Sequence, residues 1–104
     1  MLEQAVEIVN NILGWHGLRA KRFILFGSRA RGDHRPDSDW DIFVVLDQEL
    51  AFPEQQALLV EIKRALARLR IPNDVVLRSE EQFDAMKDSP GVLSYYVARE
   101  GIVL

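Results

Sequence analysis

The residues from Phe26 to Asp41 read Phe-Gly-Ser-Arg-Ala-Arg-Gly-Asp-His-Arg-Pro-Asp-Ser-Asp-Trp-Asp, a stretch that gathers the side chains of phosphate and metal chemistry. An apolar run ends directly in Gly27-Ser28. Glycine there lets the backbone approach a ligand closely, and Ser28 offers a hydroxyl and an N–H. A short helix starting after Ser28 would aim free N–H groups and its positive dipole end at an anion, with Arg29 and Arg31 beside it. This is a phosphate-binding design, and no Gly-Lys-Ser/Thr follows to make it a Walker-type loop.

Asp39-Trp40-Asp41 adds a second chemical element. In an extended strand, residues i and i+2 point to the same face about 6.6 Å apart, so Asp39 and Asp41 converge while Trp40 turns to the opposite, core face. Two ionised carboxylates on one half-buried face repel unless a cation or a proton intervenes. Mg2+ suits the site, being hard, oxygen-loving and commonly held by a few carboxylates together with substrate phosphates. The alternative is a pair of strand-edge acids that discourage aggregation. Against it, the chain continues into Ile42-Phe43-Val44-Val45, the signature of a central strand.

A third carboxylate would complete a two-metal clamp for in-line phosphoryl displacement. Asp74 is the first candidate, because it opens the apolar run Val75-Val76-Leu77, which can lie beside the Asp39-Asp41 strand. Its alternative role is to cap a turn after Pro72-Asn73. Asp47 shares the Asp41 face but sits too far along the strand, and Asp33 and Asp37 read as loop acids.

These side chains need a scaffold, and hydrophobic periodicity supplies one. Leu2, Ala5, Val6, Val9, Ile12, Leu13 and His16 follow a helical face, predicting a helix over 2–16 closed by Gly17. Arg22–Phe26 and Asp39–Leu46 read as buried strands. Pro53 suits the first turn of a helix running to about Arg70, with Leu58, Ile62, Ala65, Leu66 and Leu69 as its stripe and Lys63, Arg64, Arg68 and Arg70 favouring its C-terminal dipole. Asp74–Leu77 reads as a strand, and Ser79 with Gln82 as a capping box opening another helix. Ser89-Pro90 predicts the start of a last helix ending near Arg99, with 102–104 as a terminal strand or tail. Trp15 and Trp40 are expected in the core, His16 as a packed helix-end residue, and Tyr95-Tyr96 as core and interface area; His34 is a lesser phosphate candidate. The fold expected is α/β (α+β): a small mixed sheet of three to four strands flanked by helices, one domain over 1–104.

Composition limits what this scaffold can do. With 104 residues, 48% hydrophobic and without cysteine, the chain can bury one core without disulfides or a structural metal. Thirteen basic against sixteen acidic residues give a net charge of -3 and argue against nucleic-acid binding by bulk positive charge. Six of the thirteen basic residues nevertheless lie between Arg19 and Arg35, directly before Asp33, Asp37, Asp39 and Asp41. No apolar run reaches the ~18 residues of a spanning helix, and the N-terminus lacks a signal-peptide pattern, so no membrane partner is expected and the reading is cytoplasmic.

Gly27-Ser28, ten residues and then Asp39-x-Asp41 resembles the signature of the nucleotidyltransferase superfamily related to DNA polymerase beta. Gly-Ser-Arg-Ala-Arg-Gly-Asp followed by Pro-Asp-Ser-Asp-Trp-Asp is similar to its minimal branch, the antitoxin-type (MntA-like) proteins paired with HEPN-domain toxins. The resemblance implies a polymerase beta palm-like fold. It implies that Gly27 and Ser28 hold a nucleotide triphosphate, that Asp39 and Asp41 bind metal, and that Asp74 is the third carboxylate, also activating the attacking hydroxyl. Asn73 stands where the family usually has an apolar residue. Arg29 and Arg31 match basic positions of the family's loop, facing phosphate, partner protein or solvent. The implied reaction moves a nucleoside monophosphate, AMP from ATP, to a hydroxyl with Mg2+ as two ions, the acceptor being a tyrosine of a helical HEPN-type partner. Competing readings are an antitoxin acting by occlusion and a transferase for a small molecule such as an aminoglycoside; an oligomer stays open.

Overall fold

The computed structural model describes residues 1–104, whose elements run α1 (Leu2–Trp15), β1 (Ala20–Phe26), α2 (Ser28–Arg31), β2 (Trp40–Leu46), α3 (Phe52–Arg68), β3 (Asn73–Ser79), α4 (Glu80–Met86), α5 (Leu93–Glu100) and β4 (Ile102–Val103). The four strands form one mixed sheet in the order β3-β2-β1-β4. β1 is antiparallel to both β2 and β4, whereas β2 and β3 run parallel, joined by the α3 crossover. The inner position of β2 explains its apolar residues on both faces: Ile42 to Leu46 are fully buried.

Alternation along the strands divides the core in two. Ile42, Val44 and Leu46 of β2, with Val75 and Leu77 of β3, pack under α1 (Ala5, Val9, Ile12, Leu13) and α3 (Leu58, Ile62, Leu66). Phe43 and Val45 point the other way and meet Ile24, Phe83 of α4 and Val97 of α5. Helices therefore cover both faces of the sheet. Asp41 shares the face of Phe43, so the carboxylates open on the α4/α5 side.

The expected mixed α/β fold is found, and most elements lie within two residues of their predicted positions. The capping box is present, Ser79 Oγ accepting from Gln82 N at 3.1 Å and Gln82 Oε1 from Ser79 N at 3.0 Å. Two expectations fail for local reasons. The last helix starts at Leu93 rather than at Ser89-Pro90, because Gly91 adopts φ +94°, a left-handed conformation that no helix can pass through. Trp15 is not core but 74% exposed, and His16 is exposed too, its Nε2 2.8 Å from Glu61 Oε1. Trp15 lines the open groove between α1 and α3. Trp40 is half-buried against the α1/α3 core, its Nε1 donating to Met1 Sδ at 3.3 Å. Tyr96 is 49% exposed beside a more sheltered Tyr95. No helix is long and apolar enough to cross a membrane.

Candidate active site

Strand register brings the site together. Asp41 is directly opposite Asp74 in the parallel β2/β3 ladder, so the two carboxylates leave one face of adjacent strands about 4.8 Å apart at the backbone. Asp39, just before β2, is exposed and two residues from Asp41. On the other flank Asp41 pairs with Phe26 of β1, so the next residue, Gly27, arrives at its carboxylate.

Gly27 is what makes that arrival possible. It has φ +72° and ψ -155°, a region essentially restricted to glycine, and serves as N-cap of α2. A Cβ there would land inside the Asp41 carboxylate, 2.9 Å from Cγ and 3.2 Å from Cβ. The turn is closed by Ala30 and Arg31 N–H groups donating to Gly27 O, both at 3.1 Å, and by Gly32 N and Asp33 N donating to Ser28 O at 2.9 and 3.1 Å. A cleft of about 440 Å3 opens beside it on the same face, lined by Phe26, Gly27, Arg31, Leu93 and Tyr96 among others.

The two arginines of the loop divide their work. Arg29 donates through Nε and Nη2 to Ser38 O at 3.1 and 2.9 Å, and through Nη2 to Pro36 O at 3.2 Å, while its guanidinium lies 4.0 Å from the centre of the Trp40 ring. It thus clamps the segment that delivers Asp39 to β2. Arg31 lines the cleft instead, and its charge pulls the Asp41 pKa down against the larger effects that push it up. Burial is the first of those, followed by the charges of Asp74 and Asp39, and the outcome is a carboxyl raised above its ordinary value. Arg31 Nε also reaches Asp33 Oδ2 at 3.3 Å, and His34 is exposed on the same loop.

Asp74 has a partner that the sequence did not point to. Lys63 Nζ of α3 stands 3.8 Å from Asp74 Oδ1, and with the side chains so placed the three carboxylates do not converge into a ligand cage. Lys63 lies beside the apolar stripe of α3, and its approach to Asp74 depends on how the crossover lies over β3, which helical periodicity does not encode. Asn73, the unusual neighbour, donates Nδ2 to Ile71 O at 3.0 Å and leaves its buried Oδ1 without a partner. Chemically the donor set fits Mg2+: it consists of hard oxygen ligands, and Asp41 is left short of positive charge.

A glycine-serine turn touching a paired-aspartate strand, with a third aspartate in register, matches a model of known proteins described as a nucleotidyltransferase domain over residues 3–94. The chain belongs to this nucleotidyltransferase family. A relative from Methanocaldococcus jannaschii, named "Putative protein adenylyltransferase MJ0604", is 32% identical over 83 residues, covering 79% of this chain and 78% of the relative. Residues 3–94 include Gly27, Ser28, Asp39, Asp41 and Asp74, and the protein is a nucleotidyltransferase whose reaction is transfer of a nucleotidyl group.

Proposed function

We propose that this nucleotidyltransferase transfers AMP from ATP to a hydroxyl of a partner protein, a tyrosine of a HEPN-type toxin, and so acts as its antitoxin. The observation that carries the reading is the in-register pair Asp41 and Asp74 with Gly27 closed onto Asp41. The similarity to a protein named as an adenylyltransferase acting on protein supports the donor and the acceptor class.

Asp39 and Asp41, with Asp74 after it turns from Lys63, are the residues that would hold Mg2+. Bound there, Mg2+ neutralises charge on the triphosphate and polarises the phosphorus under attack. Gly27 and Ser28 seat the triphosphate through backbone and hydroxyl donors, and Arg31 adds positive charge beside them. Asp74 accepts the proton of the acceptor hydroxyl. The hydroxyl oxygen then forms a bond to the α-phosphorus as the bond from that phosphorus to the oxygen bridging to the β-phosphate breaks, and pyrophosphate leaves. Arg29 acts at one remove by fixing the loop before Asp39.

The test is incubation of the protein with ATP labelled at the α-phosphate, Mg2+ and the protein encoded beside it, followed by mass spectrometry. Added AMP is expected on the neighbour, and its loss is expected with Asp39→Ala, Asp41→Ala and, with folding intact, Asp74→Asn. A neighbour that is bound and inhibited yet unlabelled would replace this reading with occlusion.

A further inference from the structure

The side of the sheet away from the carboxylates carries a surface that nucleotidyl transfer does not use. α1 and α3 lie over this face and bury one stripe each in the core, α1 through Ala5, Val9, Ile12 and Leu13 and α3 through Leu58, Ile62 and Leu66. Beside these stripes each helix carries further apolar residues, Ile8 half-buried against the core and Trp15 and Val60 exposed. Ile8 and Trp15 of α1 and Val60, with Leu69 just beyond the end of α3, line a groove of about 520 Å3 between the two helices. Trp15 is 74% exposed, Leu69 55% and Val60 46%. A helix needs one apolar stripe to join a core, so exposed Trp15, Val60 and Leu69 together on one groove are unmet packing capacity.

Charge on the groove selects what fits. Glu61 is occupied by His16 at 2.8 Å, whereas Arg64 and Arg68, exposed along the same wall, form no ion pair within the chain. The groove therefore presents apolar contacts edged by two unpaired guanidiniums, which favour carboxylates bidentately. A second copy would bring the same two arginines against themselves, which disfavours self-association across this surface. The shape also selects. The α3 wall extends from Ala57 to Leu69, about 18 Å at the helical rise, and the α1 and α3 ridges bound a trough of the kind that accepts a third helix.

We propose that the α1/α3 groove docks an amphipathic helix of a partner protein, one with an apolar stripe of about three turns flanked by Asp or Glu. Trp15 is the anchor, packing on the partner's stripe, and Arg64 and Arg68 set orientation and specificity through its carboxylates. The site lies on the opposite face of the sheet from Asp41, so occupancy leaves the carboxylates open.

The probe is a hydrocarbon-stapled twelve-residue helix with a Leu stripe flanked by Glu, compared with the same helix flanked by Lys. Binding is read by calorimetry and by the fluorescence of Trp15 in a Trp40→Phe background. The Glu peptide is expected to bind and shift the emission to the blue, with the Lys peptide at least tenfold weaker. Trp15→Ala is expected to weaken the Glu peptide at least tenfold. Arg64→Glu with Arg68→Glu should invert the preference in favour of the Lys peptide. All three positions are exposed, so unchanged thermal unfolding is the control for folding. Equal affinity for the two peptides, no binding of either, or binding untouched by Trp15→Ala would overturn the proposal. So would a concentration-dependent dimer abolished by Trp15→Ala, or tighter binding to vesicles containing anionic lipid than to the Glu peptide.

Discussion

Replacing Gly27 by alanine tests how the site is built, because two separate penalties meet at one methyl group. The first is conformational: at φ +72° and ψ -155° an L-residue carries a strain of about 1–3 kcal/mol. The second is steric, since the new Cβ would occupy the position of the Asp41 carboxylate, and 2.9 Å from its Cγ is closer than any relaxed contact. The side chain must leave or the turn must open. For a domain of this size each 1 kcal/mol lowers Tm by roughly 4–8 °C, so conformational strain alone predicts a fall of about 5–20 °C. Displacement of Asp41 adds to this and removes a candidate metal ligand, so binding of Mg2+ with ATP should fall by at least tenfold in calorimetry.

The two penalties separate in a double-mutant cycle with Asp41→Ala. In that background the carboxylate is absent and only the 3.2 Å approach to the Cβ of residue 41 is left beside the conformational part, so the effect of Gly27→Ala on Tm should be smaller than in the wild type. Thermal unfolding by circular dichroism measures all four corners. A Gly27→Ala protein with unchanged Tm and unchanged Mg2+-ATP binding would refute the reasoning, as would equal effects of Gly27→Ala in both backgrounds.

Other perturbations follow from the same geometry. Arg29→Ala removes the donors to Ser38 and Pro36 carbonyls and the contact with Trp40, and is expected to lower stability by about 1–3 kcal/mol in urea unfolding, since hydrogen bonds from a charged group dominate the loss. Arg31→Ala is expected to leave stability nearly unchanged and to weaken ATP. Lys63→Met frees Asp74 from an exposed pair worth at most about 1 kcal/mol, so Mn2+ binding followed by electron paramagnetic resonance should tighten by up to about fivefold; weaker binding would place Lys63 on the side of the ligand. The raised pKa of Asp41 means that the folded protein keeps a proton the unfolded chain has released, so its contribution to stability falls as pH rises from about 4 through the folded value. The Asp41→Asn protein should accordingly be more stable than wild type at neutral pH without metal, the difference narrowing on acidification, and a difference that widens instead would refute the assignment.

Much of this site could be read from sequence because its parts are local. Asp39 and Asp41 follow from strand alternation, and Gly27-Ser28 from the end of an apolar run. Asp74 required a guess about strand adjacency, which the parallel register resolves geometrically by setting it opposite Asp41. What escaped depends on how elements pass one another. The separation of Arg29 from Arg31 arises because a four-residue helix sends side chains two apart in different directions, one back to the Pro36 and Ser38 carbonyls and one to Asp33 and the cleft. Trp15 was expected in the core because its type and spacing fit α1. Its exposure reflects its place on the open groove between α1 and α3, and helical spacing alone does not say which apolar side chains of a helix are covered.

The electrostatics of the site distinguish catalysis from occlusion on physical grounds. A protein that worked only by covering its partner would gain from replacing Asp41, since the half-buried carboxyl is disfavoured by its surroundings and by two like-charged neighbours. The chain instead carries three aspartates around a turn whose glycine tolerates nothing larger, and only one nearby cation, Arg31, lowers the Asp41 pKa. Such an arrangement is stabilised by whatever positive charge enters it, so ligand binding and folding are linked: Mg2+ with a nucleotide should raise Tm in the wild type and lose that effect in Asp41→Asn. Under the proposed function, a site that is unfavourable when empty gains from a bound cation, and a partner docked in the proposed groove on the opposite face would leave that site free.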